Sequence, residues 1–306
     1  MLDALKAAFL GPSQARAQHR EQLRRFRGLA GGVEALAALA PPPAEDTVSP
    51  IFLLSAGWRS GSTLLQRLIM SDKRVILWGE PYDECAPIQA LAATCEAFRS
   101  DWPPKDYYYD GTPPQQLTGS WIANLFPAPE SLRQAHRVFL DTLFGAPALA
   151  AGATRWGLKE VRLTIEHARY LKWLYPHARF VLLCRHPLDA YRSYCAYGRS
   201  WYDVYPHRPV FTPTAFGDHW RRLTEGFLAD GDALGALLVR YEALLDDPAL
   251  LTALDRHLDL ETDHTILTRK IGGAGGERRG AEVNGLERWL LRRATGPVAA
   301  RLGYHW

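Results

Sequence analysis

The sequence predicts an α/β fold, a doubly wound parallel sheet flanked by helices. Short apolar runs alternate along the chain with segments in which apolar residues recur at helical spacing. Helical crossovers between strands of one sheet make those strands parallel. The chain has 306 residues, 47% hydrophobic and 23% charged, which is typical of a soluble globular protein with a substantial core.

The apolar runs define five expected strands, and helical patterns lie between them. The first strand is expected to begin at 51, and the others to cover 74–78, 155–160, 180–184 and 236–240. Helices are expected over 1–40, 64–69, 83–98, 115–125, 129–145, 162–174, 214–229, 241–257 and 285–302 and after Pro187, with irregular aromatic loops at 99–114 and 197–213. Ligands of such sheets bind beyond the carboxyl ends of the strands. We therefore expect the turn after residue 55, Glu80, Lys159 and Arg185 along one edge.

A proline-rich segment separates two expected regions, an N-terminal helical extension with its linker at 1–45 and a main domain at 46–306. Successive prolines at 41–43 cannot donate backbone hydrogen bonds, which favours a stiff linker. In the extension, arginines recur every four residues at 16, 20 and 24, and so lie along one helical face. This pattern fits a solvated helix packed on the main domain; a helix that docks a partner or a membrane surface is the alternative.

Composition argues against several classes of protein. A formal net charge of only +3 implies no general attraction to nucleic acid or membranes. Four irregularly spaced cysteines form neither a disulfide framework nor a metal-ligand pattern, so reduced thiols are expected. No apolar stretch approaches the ~18 residues of a membrane helix, and no secretory leader is evident. We expect a cytoplasmic protein with neither a nucleic-acid partner nor integral membrane association.

Residues 51–69 have the layout of a phosphate-binding turn: a strand, a glycine-containing loop and a helix. Gly57 and Gly61 permit a tight turn, and the first N–H groups of the helix can then point at one anion. The match to the nucleoside-triphosphate consensus G-x-x-x-x-G-K-[ST] is deficient, because Ala56 replaces the first glycine and Ser62 the lysine. The cation is instead Arg59. This pattern favours a ligand with one phosphate and a transferable anionic group over ATP; a merely structural turn is the alternative.

Three segments together resemble one family. Residues 55–63, SAGWRSGST, resemble the loop that binds the 5′-phosphosulfate of 3′-phosphoadenylyl sulfate (PAPS) in sulfotransferases. Residues 179–194 resemble the family's 3′-phosphate motif, an apolar strand followed by R-x-P-x-D-x-x-x-S, and residues 239–248 resemble its Y-E-x-L landmark with a proline beyond. The resemblance spans roughly residues 50–250 in the family's order. It implies the P-loop-like sulfotransferase architecture for 46–306, with a motif layout similar to that of protein-tyrosine sulfotransferases.

The resemblance also implies an activity and residue roles. The chain is expected to move a sulfonate from PAPS to an acceptor hydroxyl by in-line displacement, without a metal, and to release 3′-phosphoadenosine 5′-phosphate (PAP). Glu80 is the expected general base, Lys159 lies near the bridging oxygen, and Arg59 touches the leaving phosphate and the sulfonate. Asp83 and Glu84 are competitors for the base, and Glu160 is an alternative partner of Lys159. The implied donor-binding residues are Arg59, Ser60, Gly61, Ser62, Thr63, Arg185, Ser193, Tyr241, Arg278 and Arg279.

Several points stay open at the level of sequence. The acceptor could be a tyrosine or other phenol, a glycan, a lipid or a small natural product, and a homodimer is compatible with the sequence. A nucleotide kinase or triphosphatase with a P-loop is one rival function, and a catalytically inactive nucleotide-binding module is another. Arg278 and Arg279 lie in a glycine-rich segment that resembles a mobile loop over the 3′-phosphate, but a basic loop without that contact fits equally well.

Overall fold

The protein is an α/β structure built on one five-stranded parallel sheet. A computed structural model describes residues 28–82, 85–119, 121–198, 203–204, 208–268 and 281–306. The strands of the sheet are β1 (Ile51–Ser55), β2 (Val75–Trp78), β3 (Arg155–Glu160), β4 (Arg179–Cys184) and β7 (Leu237–Arg240). Their order is β2-β3-β1-β4-β7, and every neighbouring pair is parallel. The predicted fold class is therefore confirmed.

Strand β1 occupies the centre of the sheet, and all five of its residues are buried. Leu53 pairs in register with Lys159 of β3 on one side and with Val181 of β4 on the other. A separate antiparallel pair joins β5 (Asp203–Val204) to β6 (Arg208–Pro209). The turn that follows β1 consequently lies at the middle of the sheet's carboxyl edge.

Helices cover both faces of the sheet, and prolines or capping side chains mark many of their starts. The helix Ile165–Leu174 begins with a capping box between Thr164 and His167, and the helix Gly285–Arg301 with one between Asn284 and Glu287. The helices are α1 (Gly28–Leu39), α2 (Ser62–Ile69), α3 (Pro87–Ala93), α4 (Pro114–Leu117), α5 (Pro129–Leu140), α6 (Ala146–Ala150), α7 (Ile165–Leu174), α8 (Pro187–Ala196), α9 (Pro213–Asp230), α10 (Tyr241–Asp246), α11 (Pro248–Leu258) and α12 (Gly285–Arg301). A π-helical turn, Asp141–Gly145, joins α5 to α6.

Two expected helices are shorter than predicted. The helix expected over 83–98 is limited to α3, because Pro87 suits the first turn but its ring prevents the helix from extending backwards. The helix expected over 115–125 ends at Leu117 in α4. Gly119 follows it closely, and beyond it Trp121 is 81% exposed, so burial does not compensate for the weak helix preference of glycine.

The sheet separates two apolar layers, because alternate residues of a strand point to opposite faces. Phe52 and Leu54 of β1 pack with helices α1 and α7, whereas Ile51 and Leu53 pack with helices α2 and α11. Helix α1 is part of the first layer: its residues Leu29, Val33 and Leu36 are buried there, and the indole Nε1 of Trp173 donates to the carbonyl of Ala40 at 3.0 Å. Residues 28–40 thus share the core of the sheet-bearing region.

Candidate active site

The turn after β1 is held in a conformation that requires glycine at two positions. Gly57 and Gly61 have φ angles of 85° and 89°, and Arg59 between them also has a positive φ, 62°. The hydroxyl of Ser60 donates to the carbonyl of Gly57 at 3.0 Å and closes the turn. Helix α2 begins at Ser62, so its first N–H groups, which have no partners within the helix, face the carboxyl edge of the sheet.

Tyr241 lies directly against this turn. It is the first residue of α10, immediately after strand β7. A Cβ atom added to Gly61 would lie 2.1 Å from Cδ2 of the Tyr241 ring, which is closer than any real contact. Only glycine at position 61 therefore lets the ring reach the N-terminus of α2.

The two arginines predicted for the two ends of the donor lie side by side. Arg59 donates through Nε to the hydroxyl of Ser193 at 3.0 Å, and its Cζ lies 4.1 Å from the ring centroid of Tyr197. Arg185 donates through Nη1 to the carbonyl of Arg59 at 3.0 Å, and its Cζ lies 4.5 Å from the ring centroid of Tyr241. The guanidinium of Arg59 thus contacts the serine expected on the 3′-phosphate.

Arg185 retains hydrogen-bonding capacity. Its Nε is buried and has no hydrogen-bond partner among the described residues. Buried polar groups are normally satisfied, and a guanidinium presents its donors in a planar fork that matches phosphate. An anionic ligand at this position would satisfy the orphaned donor, so the residues present fit a phosphate group.

Glu80, two residues after β2, forms the centre of a charged cluster. Its Oε1 lies 2.5 Å from Nζ of Lys159, and its Oε2 lies 3.7 Å from Nη2 of Arg162. Arg162 also donates through Nε to Oε1 of Glu160 at 3.3 Å. Lys159 is therefore paired with Glu80, while Glu160, the alternative partner considered for it, contacts Arg162.

The cluster is buried on every side except that of Glu80. The Glu80 side chain is 27% exposed, whereas those of Lys159 and Arg162 are 7% and 4% exposed. Burial raises the pKa of Glu160; the charge of Arg162 opposes that rise, and the charge of Glu80 adds to it. Glu80 is thus the member of the cluster that a ligand can reach.

These elements border one cavity of about 280 Å³. Its lining consists of Trp58, Arg59, Gly61, Ser62, Thr63, Glu80, Val161, Arg185 and Tyr241. Three further predicted residues lie behind or beside the lining: Ser60 inside the turn, Lys159 behind Glu80, and Ser193 beyond Arg59. The predicted Arg278 and Arg279, with the competitors Asp83 and Glu84, lie outside the described residues.

Sequence reasoning missed Arg162, Trp58 and Val161. Arg162 approaches Glu80 from just beyond β3, and a signal for it existed: residues 159–162, K-E-V-R, place three charges at and after the end of that strand. Trp58 is buried, and its ring centroid lies 5.0 Å from that of His219, so it supports the turn from beneath. Neither Trp58 nor Val161 carries a charge that would have indicated a site.

The described residues contain neither a metal-ligand cluster nor a membrane-spanning helix. In the part of the chain that the structure describes, no three His, Cys, Asp or Glu side chains are grouped so as to hold a metal ion. None of the described helices is long and apolar enough to cross a bilayer.

The solved structures similar to this chain include two sulfotransferase domains and one sulfotransferase. The sulfotransferase domain of the Synechococcus PCC 7002 olefin synthase is 17% identical, with 87% of this chain and 99% of that chain covered and a TM-score of 0.48. The sulfotransferase domain of the curacin biosynthetic pathway is 14% identical over 85% and 99% of the two chains, with a TM-score of 0.43. A sulfotransferase from Mycobacterium tuberculosis H37Rv is 17% identical over 78% and 75%, with a TM-score of 0.38.

Comparison with curated proteins finds no match. The model of the Sulfotransferase family, however, matches residues 50–264, which include the turn after β1, Glu80, Lys159, Arg185 and Tyr241. This match covers well over half of the 306 residues. The chain belongs to the sulfotransferase family.

Proposed function

We propose that this protein transfers a sulfonate from PAPS to a hydroxyl-bearing acceptor and releases PAP, with Glu80 as the general base. The observation that carries the proposal is the shared cavity at the carboxyl edge of the sheet. The N-terminus of α2, the two arginines Arg59 and Arg185, and the exposed face of the Glu80–Lys159 pair all border it. Groups that can bind an anion and a group that can accept a proton thus border the same cavity.

The donor would be held at two ends. The first N–H groups of α2, with the side chains of Ser62 and Thr63 and the turn at Ser60 and Gly61, suit the 5′-phosphate, because a helix N-terminus favours negative charge. Arg185 and Ser193 suit the 3′-phosphate, and the orphaned Nε of Arg185 supports this assignment.

Three further residues complete the proposed donor site. The exposed edge of the Tyr241 ring suits the adenine. Arg278 and Arg279 are proposed as additional phosphate ligands from the sequence resemblance alone. Because Arg59 donates to Ser193 at 3.0 Å, we expect it to exchange this contact for one with the sulfonate when the donor binds.

The chemistry follows from the charges around Glu80. The acceptor oxygen forms a bond to sulfur as the bond from sulfur to the bridging phosphate oxygen breaks, and the acceptor's proton passes to the Glu80 carboxylate. The electron pair of the broken bond stays with the phosphate of PAP. Lys159 and Arg59 stabilise that developing charge, and Lys159, which lies 2.5 Å from Glu80, also orients the base. Because side chains supply this positive charge, we expect transfer in the presence of a chelator.

A nucleotide panel followed by a transfer assay tests the proposal. PAP without metal should raise the melting temperature, whereas ATP with magnesium should raise it more if the protein is a nucleotide kinase or triphosphatase. Incubation with PAPS and an acceptor library, read by mass spectrometry, should yield a sulfated product and PAP. An inactive binding module would bind PAP and yield no product that depends on Glu80, a result that would contradict the proposal. The cytoplasmic location and the homodimer stay predictions of the sequence.

A further inference from the structure

A second cavity, of about 360 Å³, adjoins Glu80. It is lined by Trp78, Gly79, Glu80, Pro81, Tyr82, Leu143, Phe144 and Pro147. Glu80 borders both this cavity and the one that contains the two arginines. A hydroxyl bound in this cavity beside Glu80 would therefore lie next to the donor cavity.

The wall of this cavity is held in place by contacts behind it. Leu143 and Phe144 belong to the π-helical turn between α5 and α6, a local feature that is frequent at functional sites. The indole Nε1 of Trp78 donates to the carbonyl of Phe144 at 2.9 Å and ties the end of β2 to the turn. The Phe144 ring also stacks on Trp156, with centroids 6.0 Å apart and an interplanar angle of 24°. The aromatic wall is thus preformed.

The lining is almost free of polar side-chain groups. Besides Glu80, its polar side-chain atoms are the Tyr82 hydroxyl and the Trp78 N–H, and the latter is already used by the carbonyl of Phe144. None of the described residues that line the cavity has a cationic side chain to pair with an acceptor's carboxylate or phosphate. An anionic group there would lose hydration without gaining a partner. A sugar would lose water from several hydroxyls at once.

The volume of the cavity and the acidity of the acceptor hydroxyl further restrict the class of acceptor. Sites for small molecules span about 300–1,000 Å³, so 360 Å³ is at the lower end and suits a group of one or two rings. Carboxylates are weak bases, and a phenol with a pKa of about 10 gives up its proton far more readily than a hydroxyl with a pKa near that of water, about 16. Trp78, Tyr82 and Phe144 make the lining aromatic, and aromatic rings pack favourably against one another.

We propose that this cavity binds the acceptor, and that the acceptor is an uncharged phenol whose hydroxyl meets Glu80. The inference rests on the proposed sulfonate transfer and specifies its substrate class. The phenol oxygen forms the new bond to sulfur, and its proton goes to Glu80. The bond from sulfur to the bridging phosphate oxygen breaks, and PAP leaves with its electron pair. A sulfated phenol and PAP are then the products.

The phenol assignment is tested by comparing 2-naphthol with acceptors that differ from it in charge, in aromaticity or in being a sugar. With PAPS as donor, 2-naphthol should have a kcat/KM at least about tenfold above that of 6-hydroxy-2-naphthoate, which adds a carboxylate, and above that of decahydro-2-naphthol, which lacks the phenol. N-acetylglucosamine should not be sulfated. Equal rates for 2-naphthol and its carboxylate analogue, or a preference for the saturated alcohol or the sugar, would overturn the phenol assignment.

Variants test the cavity itself. Leu143→Asp places a charge in the lining, and Leu149→Asp makes the same change on neighbouring helix α6, at a side chain that is 62% exposed and outside this cavity. Leu143→Asp should lower kcat/KM for 2-naphthol by about tenfold or more, and Leu149→Asp should not change it. If Leu143→Asp does not fold, Pro147→Asp replaces it, because Pro147 lines the same cavity and is exposed, so a charge there costs less desolvation.

Calorimetry separates failure of this inference from failure of the proposed function. Binding of PAP to each folded variant should equal that of the wild type. If Leu143→Asp, or Pro147→Asp in its place, binds PAP normally and turns over 2-naphthol at the wild-type rate, this cavity is not the acceptor site. The proposed donor site would be unaffected by that result. A wild-type protein that binds no PAP would instead contradict the proposed function.

Discussion

Gly61→Ala tests the geometry of the donor turn most sharply. Gly61 has a φ of 89°, where an L residue costs about 1–2 kcal/mol. The new Cβ would also lie 2.1 Å from Cδ2 of Tyr241, a rigid ring that must move. Displacing the ring weakens its cation–π contact with Arg185, now 4.5 Å from Cζ to the centroid, which is worth about 0.5–2 kcal/mol.

Gly111→Ala is the matched control. Gly111 has a φ of 94°, but an added Cβ there would meet no heavy atom within 4 Å. Both variants should lower the free energy of unfolding by the backbone cost of about 1–2 kcal/mol, and Gly61→Ala by a further ~1–3 kcal/mol from overpacking. In calorimetry, Gly61→Ala should weaken PAP binding about tenfold or more, which is about 1.4 kcal/mol, and Gly111→Ala should not change it.

A second substitution can relieve the clash. In a Tyr241→Ala background, Gly61→Ala should lower the free energy of unfolding, measured in urea, only as much as Gly111→Ala does, because the obstructing ring is gone. If Gly61→Ala matches Gly111→Ala in both stability and PAP affinity in the wild-type background, the Tyr241 ring does not restrict position 61. Equal losses from Gly61→Ala with and without the tyrosine would show the same.

Substitutions that begin from three further residues, Glu80, Arg162 and His167, test the charged cluster and the fold. Glu80→Gln should lower kcat about 10²–10⁴-fold in the sulfonate-transfer assay without weakening PAP binding, and near wild-type turnover would exclude Glu80 as the base. Arg162→Met should lower the free energy of unfolding in urea by about 3–5 kcal/mol, because it leaves Glu160 buried without its cation. Adding Glu160→Gln to this variant should restore much of the lost stability. If the double variant is no more stable than Arg162→Met, the ion pair does not explain the loss. Burial lowers the pKa of His167 from 6.5 to about 4. The unfolded chain therefore takes up a proton that the folded chain does not, and the free energy of unfolding should fall as the pH drops from about 6.5 to about 4. His167→Gln, which can keep the capping box, should flatten that dependence, and an unchanged slope would contradict the assignment.

Two properties of parallel sheets allowed the strands and the edge that carries the candidate site to be predicted from the sequence. Strands buried on both faces appear as continuous apolar runs, and parallel strands bring their carboxyl ends to one edge. Glu80 and Lys159 are 79 positions apart in the chain but follow or end neighbouring strands, so their proximity could be expected. Their direct ion pair could not, because Glu160 was an equally reasonable partner for Lys159.

Other features depend on packing that no local pattern encodes. The π-helical turn at Asp141–Gly145 interrupts a segment whose periodicity predicted one continuous helix over 129–145. That turn places Leu143 and Phe144 beside Glu80, so the second cavity was not foreseeable. Likewise, the Arg59 guanidinium contacts Ser193, a residue 134 positions away that the resemblance assigned to the other end of the donor.

A crystal structure of the protein with PAP would show whether the cavity beyond β1 binds the donor. The 5′-phosphate should lie within hydrogen-bonding distance of the first N–H groups of α2 at Ser62 and Thr63, and the 3′-phosphate on Arg185 and Ser193. Glu80 should then face the open side of the 5′-phosphate. PAP bound elsewhere, or lying in this cavity with its 3′-phosphate away from Arg185, would contradict the proposed donor site.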